Sequence, residues 1–104
     1  MIKTKEGFRI TDHALNRAKN RAGLGGKSII RFVSKAWNLG LGLRDVDGAM
    51  KLRLLDEKSQ HGGNLKVYGH HMYVFKGKTL ITVLNLPKEL WSHWDNRGDI
   101  LCQA

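Results

Sequence analysis

Apolar residues recur at helical spacing in the first half of this chain and alternate with polar ones in the second. Thr11 and Asp12 stand as N-cap residues ahead of Ala14, Leu15, Ala18 and Ala22, and this spacing predicts a helix that Gly23 ends. On its opposite side, His13, Arg17 and Arg21 fall at i, i+4 and i+8. Beyond the connector Gly23–Gly26, Ser28 reads as the cap of a second helix. Ile29, Ile30, Val33, Ala36 and Trp37 face inward there, Arg31, Lys35 and Asn38 outward, and Gly40 and Gly42 close it. From Asp47 to about Ser59 two periods compete. Met50, Leu54 and Leu55 suit a helix, whereas Met50-Lys51-Leu52-Arg53-Leu54 alternates as a strand does. Helix is the reading adopted, because Asp45 and Asp47 stand as caps and Asp56-Glu57-Lys58 disfavours a strand.

Strand patterning begins at Asn64. Leu65–Tyr68, His71–Phe75 and Thr79–Leu84 are separated by Gly69-His70 and Lys76-Gly77-Lys78, short turns that contain glycine. Pro87 stops the last strand, and residues 88–95, with Trp91 and Trp94, are expected to form a short closing helix. The expected fold is α+β: N-terminal helices packed on a C-terminal antiparallel β-meander of three to four strands, with residues 1–104 as a single domain.

Strand alternation then sorts side chains by face. With Gly69-His70 as a two-residue turn, Tyr68 faces His71, and Lys66, Tyr68, His71 and Tyr73 share one face. Leu65, Val67, Met72 and Val74 share the other, which is expected to pack on the helices. A second two-residue turn adds Ile81 and Val83 to the apolar face and Thr82 to the polar one; a three-residue turn flips the last strand and removes Thr82.

Charge gives this polar face a meaning. Eighteen Lys and Arg against nine Asp and Glu leave a net charge of +9 on 104 residues. Such a surface attracts phosphate polymers by counterion release, so nucleic acid is the expected partner, and the tyrosines, lysine and histidine of the polar face suit RNA. Hydrophobic residues make up 41%, enough for a core. No stretch is long and apolar enough for a signal sequence or a membrane span, and the lone Cys102 suits a reducing compartment, so a cytoplasmic location without membrane contact is expected.

RNA can be cut without metal when its own 2′-hydroxyl attacks. The reaction needs a base, an acid and cations for the charged phosphorane. His71 can be base or acid, with Tyr68, Tyr73 or Lys66 as partner, and Arg17, Arg21 or Arg44 can supply charge. No metal site or cofactor is expected, because the nine acids are scattered and His61, His70, His71 and His93 lack ligand spacing. Gly25-Gly26-Lys27-Ser28 imitates a phosphate-binding loop, but Arg21 stands where its first glycine belongs, so no nucleotide cofactor is expected. Lys27 near a helix start can still hold an RNA phosphate. Arg97-Gly98-Asp99 spells an adhesion tripeptide, which carries no meaning without export.

Ile10-Thr11-Asp12-His13-Ala14 followed by Arg17 and Arg21, a second helix, and then Tyr73-Val74-Phe75-Lys76-Gly77 and Leu80-Ile81-Thr82-Val83 together resemble small toxin-like and phage-encoded members of the barnase–EndoU–colicin–RelE ribonuclease superfamily. The likeness covers residues 8–87. It implies a metal-independent endoribonuclease with its active site on an exposed sheet face. It also implies tRNA or mRNA as substrate; a further reading of the basic face is that it docks an acidic partner such as an antitoxin or inhibitor. By that likeness His13, Arg17 and Thr82 carry over, and His71 and Tyr73 hold strand positions where such enzymes place catalytic groups. The candidate catalytic set is therefore His71, Tyr73, Thr82, Tyr68 and His13, and the candidate RNA-binding set is Arg17, Arg21, Lys27, Arg44 and Lys66. The alternative is a non-catalytic nucleic-acid-binding or host-interacting phage protein of the same shape.

Overall fold

The computed structural model describes residues 1–95. Helix α1 (Asp12–Ala22) starts where Thr11 Oγ1 accepts the Ala14 N–H at 3.0 Å. It stops at Gly23, whose φ of 68° lets the Leu24 N–H reach back to the Ala18 carbonyl at 3.1 Å. Helix α2 (Gly26–Leu39) begins two residues before Ser28, with Gly25 in the N-cap position. Its buried stripe is Ile29, Val33 and Ala36. Ile30 stands about 100° further round the helix and is exposed rather than inward. Helix α3 (Gly48–His61) settles the ambiguous segment as helical: Met50 and Leu54 are buried, while Leu52 is 70% exposed where alternation would have placed it beside them.

Strands β3 (Asn64–Tyr68), β4 (His71–Lys76) and β5 (Thr79–Asn85) form the expected meander. Two-residue strands β1 (Ile2–Lys3) and β2 (Arg9–Ile10) extend it to five, in the order β1-β2-β5-β4-β3, with β2 parallel to β5. The sheet is therefore mixed. Strands of two residues leave no periodic signal, and the contacts that create them are remote in sequence.

The register of the first hairpin is the predicted one, with Tyr68 opposite His71 and Lys66 opposite Tyr73. The second turn also has two residues, since Lys76 pairs with Thr79. A bulge then intervenes: Phe75 pairs with Leu80 but Val74 pairs with Thr82, leaving Ile81 as the extra residue. One inserted residue reverses every later side chain. Val83 therefore lies opposite Tyr73 and Thr82 opposite Val74, the reverse of the expected assignment.

Helices cover both sheet faces, not one. Helices α1 and α2 bury Tyr73, Phe75, Leu80 and Val83 on one side. On the other, α3 and the segment around Leu86 and Leu90 bury Leu65, Val67, Met72 and Val74. The result is a three-layer arrangement with the sheet in the middle, still of α+β class. A 3₁₀ turn (Lys88–Leu90) leads into helical residues 91–95, fastened where Trp91 Nε1 donates to the Leu86 carbonyl at 2.8 Å. Cys102 and the Arg97-Gly98-Asp99 tripeptide lie outside the described residues. No helix among the described residues is long and apolar enough to cross a membrane.

Candidate nucleic-acid interface

The polar sheet face expected to carry catalysis is only partly open to solvent: Lys66, Tyr68 and His71 are half-buried, and its centre at Tyr73 is closed. Tyr73 is 1% exposed beneath α1 and α2, and Thr82 is 6% exposed on the opposite side of the sheet. Two physical causes separate them. The second helical layer was invisible to strand alternation, and the bulge at Ile81 turned Thr82 away. Burial raises the Tyr73 phenol well above its ordinary pKa, and the nearby Tyr68 adds to the shift. Its hydroxyl makes no hydrogen bond among the described residues, a costly state for a buried donor. Tyr73→Phe is accordingly expected to melt at or above the wild-type temperature in a thermal scan. A catalytic or hydrogen-bonded hydroxyl at this position would give the opposite result.

His71 is half-buried, and its Nε2 donates to the Arg21 carbonyl in the last turn of α1 at 3.1 Å. This bond gives a donor to one of the carbonyls that a helix end leaves without a partner. Desolvation is the main influence on the ring and lowers its pKa below the ordinary 6.5; the Arg21 bond opposes the shift and His70 adds to it. A depressed histidine binds fewer protons folded than unfolded, so stability rises with pH in that window. The contribution is complete above about pH 6.5 and fades as the pH falls below it. Chemical denaturation between pH 7.5 and 5 should show this loss, and His71→Gln should reduce it. Equal pH dependence in both proteins would contradict the assignment.

Arg21 is also structural: one guanidinium nitrogen donates to the Val83 carbonyl at 3.1 Å. With the Thr11 hydroxyl on the Ile81 carbonyl (3.3 Å), it covers the part of the β5 edge that β2 leaves open. His13 is exposed in the first turn of α1, eight residues from Arg21, hence about 12 Å from the His71 contact along the axis. Arg17 is half-buried on α1 and Lys27 is exposed at the start of α2. Tyr68 is half-buried between the Phe32 and Trp94 rings. The predicted catalytic set is thus spread over both sheet faces and both ends of α1.

Arg44 and Lys66 do come together. They line a cleft of about 570 Å³ with Lys58, Asn64, Asp45 and Trp37. Chain connectivity builds it. After α2, residue Leu41 pairs with Val67 by two backbone bonds of 2.8 Å, laying the chain along the β3 edge. Gly40 permits that approach: a Cβ there would strike the Ala36 carbonyl and come within 3.0 Å of Lys66 Cβ. Asp45 Oδ2 accepts the Gly42 N–H at 2.8 Å, which folds the 3₁₀ turn Leu43–Asp45 and directs Arg44 to the rim. The last turn of α3 brings Lys58 from the other side.

None of the three cations forms an ion pair among the described residues; Arg53, bound to the buried Glu57, is the sole Lys or Arg side chain that does. Sequence reading named Arg44 and Lys66 but missed Lys58 and Trp37. The paired glycines at 40 and 42 were the one signal of a close backbone approach there. No family model, curated protein or solved structure matches this chain.

Proposed function

We propose that this chain is an RNA-binding protein that holds phosphate groups in the cleft formed by Arg44, Lys58 and Lys66. The observation that carries this reading is that three cations meet in one concave site with no ion-pair partner among the described residues. Cations left without acidic partners bind phosphate at a small desolvation cost, and Arg44 offers the planar fork that suits phosphate oxygens. Asp45, the one carboxylate lining the cleft, accepts the Gly42 N–H and forms no ion pair with the three cations. A net charge of +9 supplies long-range attraction.

Binding is proposed ahead of endoribonuclease activity because the base and acid candidates read from the residues do not converge on one point among the described residues. Tyr73 and Thr82 are buried, His71 is engaged by α1, and His13 lies at that helix's far end. Titration of a labelled RNA in EDTA, followed by gel analysis of the same samples, tests both readings. Salt-sensitive binding with intact RNA is expected. Products ending in 2′,3′-cyclic phosphate would restore the ribonuclease reading, and absence of binding at low salt would reject both.

A further inference from the structure

We infer that the RNA this chain binds is single-stranded, with unpaired bases stacking on an aromatic band, formed by Phe32, Tyr68 and Trp94, that continues from the basic cleft; the inference rests on the RNA-binding reading above. Phe32 on α2 meets Tyr68 edge-on with ring centroids 5.7 Å apart, and Tyr68 meets Trp94 likewise at 5.0 Å. All three are half-buried. The band bends around the tip of the β3–β4 hairpin, from the α1–α2 layer to the layer holding residues 91–95. His70 lies flat on Trp91 beside it, with centroids 4.1 Å apart and planes 6° from parallel, and its Nε2 is 2.8 Å from Asp95 Oδ1.

Phe32 belongs to neither hydrophobic cluster; its ring meets Tyr68 edge-on, and the Lys35 ammonium stands 5.5 Å from its centroid. A partly exposed aromatic ring, flanked by a cation and a second aromatic, can offer a base a π-face and the adjoining phosphate a charge.

Strand β3 joins band and cleft. Asn64, Lys66 and Tyr68 alternate onto the same face, so Tyr68 follows Lys66 by two residues, about 6.8 Å. Asn64 and Lys66 line the cleft and Tyr68 opens the aromatic band. A polynucleotide lying along this edge meets phosphate-binding cations at one end and stacking rings at the other. Duplex RNA cannot use the rings, because its bases are already stacked and its deep major groove excludes side chains.

Fluorescence anisotropy with one labelled RNA of about a dozen nucleotides, presented alone and annealed to its complement, tests the inference. The single strand should bind at least about tenfold tighter. Phe32→Leu and Tyr68→Leu keep apolar volume but remove the π-face, and each should weaken single-strand binding about tenfold. They should leave duplex binding and the salt slope unchanged, and Tyr68→Phe should bind as wild type does. Circular dichroism melts establish that each variant is folded. If Tyr68→Leu fails to fold, Phe32→Leu, outside both clusters, decides the matter. Equal affinity for both RNA forms, or folded leucine variants that bind as wild type does, overturns the stacking inference and leaves the cleft standing. No binding to either form overturns the RNA reading as well.

Discussion

Replacing Arg44 and Lys66 together by glutamate is expected to weaken RNA binding about a hundredfold at moderate salt. A charge-assisted hydrogen bond contributes about 1.5 kcal/mol or more, and two lost contacts convert to roughly that factor. Reversal also places two carboxylates where phosphates would sit. The salt dependence gives a second and more specific reading. Each phosphate contact on a single strand adds about 0.7 to the slope of log affinity against log salt, so the double variant should lose about 1.4 of it. Lys5→Glu with Lys88→Glu changes the net charge equally at exposed positions outside the cleft. That control should lower affinity modestly through the long-range field. If the two double variants weaken binding alike, the cleft has no special role and the charge acts diffusely.

Gly63→Ala is expected to destabilise the fold by about 3 kcal/mol. Gly63 has φ of 71°, where a side chain is strained by about 1 kcal/mol or more. A Cβ there would also collide with the Phe75 carbonyl and come within 3.1 Å of Lys76 Cγ. The Phe75 carbonyl sits in the β4 backbone, packed into the core, and cannot give way, so overpacking adds about 2 kcal/mol. In a domain of this size the melting temperature should fall by about 15 °C. Gly77→Ala separates the two causes. It has φ of 57° but nothing within 4 Å of its Cβ, so only the strain remains. Equal melting temperatures for the two variants would show that the collision at Phe75 is relieved by movement. Because Gly63 directly precedes Asn64–Lys66, its loss should disturb the cleft as well as the melt.

Local determinants were readable in the residues themselves. The Thr11 cap, the Gly23 stop and the turn at Gly69-His70 each act within a few positions, and each appears as read; the α2 stripe does so at Ile29, Val33 and Ala36 but not at Ile30. The net charge needed no structure to be known, and it directed attention to Arg44 and Lys66.

Long-range contacts decided what the residues did not state. Strands β1 and β2 exist because Ile10 packs into the core and pairs beside Leu80, seventy positions away in sequence. The bulge at Ile81 reversed Thr82 and Val83, and no feature of Leu80-Ile81-Thr82-Val83 marks where a ladder will admit an extra residue. Tyr73 alternates with Val74 as an exposed residue would, yet a second helical layer buries it, because both sheet faces are covered. The cleft illustrates the same point in the opposite sense. Arg44 follows one helix, Lys58 ends another and Lys66 lies in a strand; they converge only because Leu41 pairs with Val67 and Gly40 lets the chain pass against Lys66. Cap and turn preferences act between neighbours and are written into the residues, whereas convergence of distant side chains depends on which backbone edges pair, and only the folded chain determines that.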